Sequence, residues 1–81
     1  MDFIGMSEDG TWVIKPCSDV ESVFVVRRIE SAIDYLIMNV CNSAGVTFLK
    51  IDTVTAQVFK NSPLVESVEI QGSGLYRIKF I

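Results

Sequence analysis

Residues 18–42, SDVESVFVVRRIESAIDYLIMNVCN, carry both the strongest helix signal in this chain and its sharpest ambiguity. Ser18 with Glu21 three positions on makes a capping box, in which hydroxyl and carboxylate each satisfy an orphan N–H of the first turn. Asp19 adds negative charge where a helix dipole favours it. Val26, Ile29, Ile33, Leu36 and Val40 then recur at spacings of three and four, with Arg27, Arg28, Glu30, Ser31, Asp34 and Asn42 mostly opposite. That is the pattern of a helix with one buried stripe. Gly45 supplies the stop. A second reading competes. Val20, Val23, Phe24, Val25 and Val26 favour a strand, which would place a strand at 22–26 and start the helix near Arg27. The capping box lies before the valine run and not after it, so the prediction is one long helix over 18–42. Val-Glu-Ser-Val recurs at 65–68, where it reads as strand, and four matching residues do not make a structural repeat.

Upstream, residues 1–16 predict a hairpin with strands at 2–6 and 11–15. Asp9-Gly10 reads as a two-residue type I′ turn. That turn sets Met6 against Val13 and Ile4 against Lys15, and puts Trp12 and Ile14 on the other face with Phe3. Pro16 biases Lys15 toward an extended conformation, which suits a strand ending there. Downstream, 46–51 is a short strand by its β-branched and aromatic content. Asp52 caps a second helix over 53–60 with Val54, Val58 and Phe59 on its buried side, and Asn61-Ser62-Pro63 stops it.

The last part of the chain predicts a second hairpin, strands 64–71 and 75–81 around Gly72-Ser73-Gly74. A two-residue loop would set Ile70 against Leu75 and Val68 against Arg77. A three-residue loop sets Ile70 against Tyr76, Val68 against Ile78 and Glu69 against Arg77. The second register pairs apolar with apolar and acid with base, each pair worth ~0.2–1 kcal/mol, and a one-residue slip turns the wrong face inward. Gly74 supplies the left-handed position such a loop needs. The predicted fold is therefore α+β, in the order β-β-α-β-α-β-β. An antiparallel sheet of two hairpins and a short strand packs on one long and one short helix. The chain reads as one domain, 1–81, without linker or low-complexity run.

The 81 residues are 49% hydrophobic, with a mean hydropathy of +0.40. A chain of this length buries only a little over ~60% of the surface its unfolded form exposes. That is more apolar material than a small core hides, and the surplus points to an interface. The net charge is −3 and the pI near 4.7, which gives no general attraction for nucleic acid. No positively charged start precedes an apolar run, so no signal peptide is expected. Charged residues interrupt the longest apolar segment, so no membrane span is expected. A cytoplasmic location is the default. On a continuous helix Cys17 and Cys41 would stand roughly 36 Å apart, far beyond disulfide reach, and both read as free thiols. Cys17 beside a helix start could have a lowered pKa, although a small, partly buried residue explains it as well.

Chemistry is sparse. The chain has no histidine, which removes the commonest general base and metal ligand and the His-assisted nucleophiles. Two distant cysteines make no zinc site. Gly72-Ser73-Gly74 precedes a strand, not a helix, so it is a turn and not a phosphate loop. Glu30 and Asp34 share a helix face, where such pairs usually sit in water. No catalytic, metal or cofactor site is expected, nor a small-molecule substrate.

Two functional classes remain. The first is a non-enzymatic protein-binding module or regulator, as a homodimer or as a subunit or inhibitor of a larger complex. Its candidate contacts are Phe3, Trp12, Tyr35 and Met38, large side chains off the main buried stripe or on a second face. Small size without chemistry would also suit a virus- or phage-encoded inhibitor. The second is a nucleic-acid-binding protein with a winged-helix-like C-terminal half, using Lys50, Lys60, Arg77 and Lys79 as phosphate contacts. It lacks one helix of the usual pair, and its net charge is of the wrong sign.

Overall fold

A computed structural model describes residues 2–16 and 24–81. The elements are β1 (Asp2–Met6), β2 (Trp12–Pro16), β3 (Phe24–Val26), α1 (Ile29–Asn39), β4 (Val46–Lys50), α2 (Thr53–Asn61), β5 (Val65–Gly72) and β6 (Leu75–Phe80). The architecture is α+β, with the two hairpins, the short strand and the two helices that the patterning predicts.

One element is added where the two readings of the valine run competed. Phe24–Val26 is a strand, and the helix begins at Ile29 rather than at Ser18. Its N-cap, Arg28, has an extended backbone and makes no side-chain cap bond. The expected capping box at Ser18 and Glu21, and Cys17, lie outside the described residues. The strand wins because β2 offers it a ladder: Ile14 faces Phe24, Val13 faces Val25 and Trp12 faces Val26. Backbone pairing of that kind is invisible to a local propensity. With the long helix gone, the 36 Å spacing expected between the thiols has no basis. Gly45 does not end the helix directly. Its φ of +73° closes a separate turn in which the Asn42 side-chain oxygen accepts from the Ala44 and Val46 amides.

The strands form one sheet in the order β3-β2-β1-β4-β6-β5. Two antiparallel three-stranded units meet where β1 and β4 pair in parallel, Phe3 beside Lys50. The second hairpin has the expected register: Val68 faces Ile78, Glu69 faces Arg77 and Ile70 faces Tyr76. A bulge at Gln71 lets Gly72 pair with Leu75, and Gly74 takes the left-handed position with φ +72°.

The first hairpin is one residue out of the expected register. Ile4 faces Ile14 and Met6 faces Trp12. The Asp9 carboxylate explains it. It accepts from the Ser7 and Thr11 hydroxyls and from the Thr11 amide. The Ser7 amide donates to the Thr11 carbonyl. These bonds close a wider loop in which Gly10 alone has positive φ, +84°, whereas a type I′ turn would force Asp9 there as well. The shift gathers Ile4, Trp12 and Ile14 on one face, all buried.

Both helices bury their stripes in one core on that face: Ala32, Ile33 and Leu36 from α1, Ala56 and Phe59 from α2, with Leu49, Ile51, Val65, Ile78 and Phe80 from the sheet half. Two successive crossovers, β3-α1-β4 and β4-α2-β5, advance in the same direction across the sheet. One handedness of crossover then puts both helices on the same side. Asp52 caps α2, accepting from the Thr55 amide at 2.7 Å. Val54, expected in the core, is exposed. The fully buried Phe59 sets the rotation of the helix, and five positions at about 100° each leave Val54 about 140° away.

Candidate interaction surface

Among the described residues, the helices lie on one side of the sheet only. Alternation along each strand therefore assigns every second residue to an uncovered face. On β2 and β3 these are Val13, Lys15 and Val25; on β4, Phe48 and Lys50, with Val46 of the same parity buried; on β6, Leu75, Arg77 and Lys79. Val13 and Val25 are directly paired, as are Phe48 and Arg77, and Lys50 and Leu75. Val25 is 61% exposed and Phe48 39%. Lys15 and Lys50 flank the same β1 position, Phe3, from its two neighbouring strands. Strand spacing puts their backbones roughly 10 Å apart.

The charges on this face are uneven. Arg77 lies 3.7 Å from Glu69 and Lys79 3.0 Å from Glu66. Both pairs are substantially exposed, which limits each to about 0–1 kcal/mol. Lys15 and Lys50 have no such partner among the described residues. Elsewhere the balance is acidic, with Glu8 and Asp9 in the first turn and Glu30 and Asp34 exposed on α1; Asp52, at the start of α2, lies nearer and lines one cleft with Gly5, Val13 and Lys15.

The expected contact residues do not assemble into one patch. Trp12 is a correction: it is 4% exposed and packs edge to face on Phe59, so it completes the core. Tyr35 is half-buried against the core. Met38 is 82% exposed on α1, in the helical layer. The Phe3 side chain lies outside what is described. Of the basic candidates, Lys50, Arg77 and Lys79 share the uncovered face, whereas Lys60 sits in the last turn of α2. No second helix separates α2 from β5, and the second hairpin is built into the sheet rather than projecting as a wing. The sequence reading missed Lys15, Val25 and Phe48. For Phe48 the signal is the run Val46-Thr47-Phe48-Leu49-Lys50, apolar on both parities, which a strand buried on one side does not need.

Other features are quiet. Glu30 and Asp34 are exposed, and among the described residues no cluster of His, Cys, Asp or Glu could hold a metal ion. Burial pushes the Cys41 thiol above its ordinary pKa, which leaves it a poor nucleophile. No described helix is long and apolar enough to cross a membrane. Comparison with protein-family models, with curated proteins and with solved structures returns no match, so the reading of this surface rests on its own geometry.

Proposed function

We propose that this chain is a non-enzymatic protein-binding module that engages a partner through the uncovered face of its sheet. The observation that carries this reading is the one-sided cover of the sheet, which leaves Val25 and Phe48 in water beside half-buried Val13 and Leu75. Desolvating such side chains releases roughly 25 cal/mol per Å2 of apolar area, and an aromatic at the centre of a patch is a typical anchor. The module acts as a regulator, subunit or inhibitor within a larger assembly. Capture by the wild-type chain is compared with capture by Phe48→Ser and by Met38→Ser. The reading expects a partner retained by Met38→Ser and lost by Phe48→Ser; a partner lost only with Met38 would move the interface to α1.

A second reading is binding of single-stranded nucleic acid to the same face, with Phe48 as a stacking platform between Lys50 and Arg77. A titration with a labelled oligonucleotide at low salt tests it, and no change in anisotropy removes it.

A further inference from the structure

Resting on that reading, we infer that the uncovered face takes an acidic protein segment carrying apolar anchors, with Lys15 and Lys50 as the groups that select its charge. The chain is acidic overall, −3, yet Lys15, Lys50, Arg77 and Lys79 all fall on this one face. Glu66 and Glu69 already hold Lys79 and Arg77. What remains is a pair of ammonium groups flanking β1 that have no ion-pair partner among the described residues, with Val13 and Val25 on one side and Phe48 and Leu75 on the other. A ligand that satisfies all of these has carboxylates between apolar side chains. Charge complementarity of this kind selects partners and speeds encounter.

The same arrangement disfavours the alternatives. A second copy meeting face to face would place the same patch against itself, as two-fold symmetry requires. With the axis passing near β1, Lys15 and Lys50 would meet their own kind. A nucleic acid would find only two unpaired cations, a salt slope of about −1.4 for a single strand, which is feeble for phosphate-driven binding.

The test is a titration followed by amide NMR shifts, with three probes at low and physiological salt. One is a short synthetic peptide alternating glutamate with leucine and phenylalanine. The second is the same peptide with lysine for glutamate, and the third is an oligothymidylate. The expected result is that only the acidic peptide moves the amides of Val13, Lys15, Val25, Phe48 and Lys50. Its affinity should fall with salt and drop roughly tenfold or more in the double variant Lys15→Glu/Lys50→Glu. The Lys15→Gln/Lys50→Gln variant should be intermediate, and unchanged spectra away from the face establish that each variant is folded. If Phe48→Ser weakens the acidic peptide while charge reversal does not, protein binding stands and the acidic assignment falls. Binding of the oligothymidylate alone, no response to any probe, or concentration-dependent shifts of the free chain on this same face overturn both.

Discussion

The Trp12 indole meets the Phe59 ring edge to face, their centroids 6.1 Å apart and their planes inclined at 72°. This contact ties β2, in one half of the sheet, to α2, which packs over the other half. Phe59 is fully buried and Trp12 nearly so. Replacing either by alanine is expected to cost about 3–5 kcal/mol. The double variant should be less damaging than the sum, by about 0.5–1.5 kcal/mol beyond simple area loss. Urea unfolding followed by circular dichroism measures all three, and strict additivity would mean that the rings do not interact.

The start of α2 offers two substitutions of unequal cost. Asp52→Ala removes the side chain that accepts from the Thr55 amide and should destabilise by about 1 kcal/mol, the usual value of an N-cap. Thr55→Val should cost less than that, about 0–0.5 kcal/mol. The Thr55 hydroxyl is fully buried and outside good hydrogen-bond geometry, yet near enough to the Asp52 carboxylate to help hold its pKa down, and a methyl in its place gives up that contact without opening a cavity. Chemical denaturation of both variants beside the wild type checks the contrast.

The hydrogen bonds from Ser7 and Thr11 hold the Asp9 carboxyl down to about 2, and the amide of Thr11 adds to them. Its folded pKa therefore lies below its unfolded one. The stability this gives is complete above about pH 4 and is lost as pH falls toward 2. Asp9→Asn should lower stability near neutrality and flatten the acid limb, so that the two profiles converge as pH falls toward 2. Acid titration of unfolding midpoints for both chains supplies the comparison.

Gly74 turns β5 into β6 with φ +72°, and its carbonyl accepts from the Ile51 amide. Space is not the constraint, since a Cβ there would meet nothing closer than the Ile51 carbonyl oxygen at 3.8 Å. The cost of Gly74→Ala is conformational, about 1–2 kcal/mol for a left-handed alanine. Gly74→Asn should recover part of it. Thermal unfolding of the pair separates a conformational cost from a steric one, which asparagine would worsen.

How far the fold was legible varied with how local its determinants were. The second hairpin was readable because pairing Ile70 with Tyr76, Val68 with Ile78 and Glu69 with Arg77 leaves one good register. The first hairpin yields to the same test, Ile4 against Ile14. There the Asp9-Gly10 pair suggested a tighter turn, and the bonds that Ser7 and Thr11 make to Asp9 decided otherwise. The exposed side of α1 was partly readable, since Met38 does lie in solvent. The uncovered face was not, because its members come from strands β2, β3, β4 and β6 and meet only through the sheet order.

The residues alone determined the class of fold, the cap of α2, the left-handed glycine of the second turn and the lack of any histidine chemistry. Each depends on neighbours a few positions apart, where backbone sterics and short-range hydrogen bonds dominate. Tertiary structure decided that Phe24–Val26 is a strand, that Trp12 is core and that Lys15 stands near Lys50 across β1. Those outcomes depend on hydrogen bonds and burial between segments distant along the chain, whose free energies exceed the small local preferences that a sequence displays.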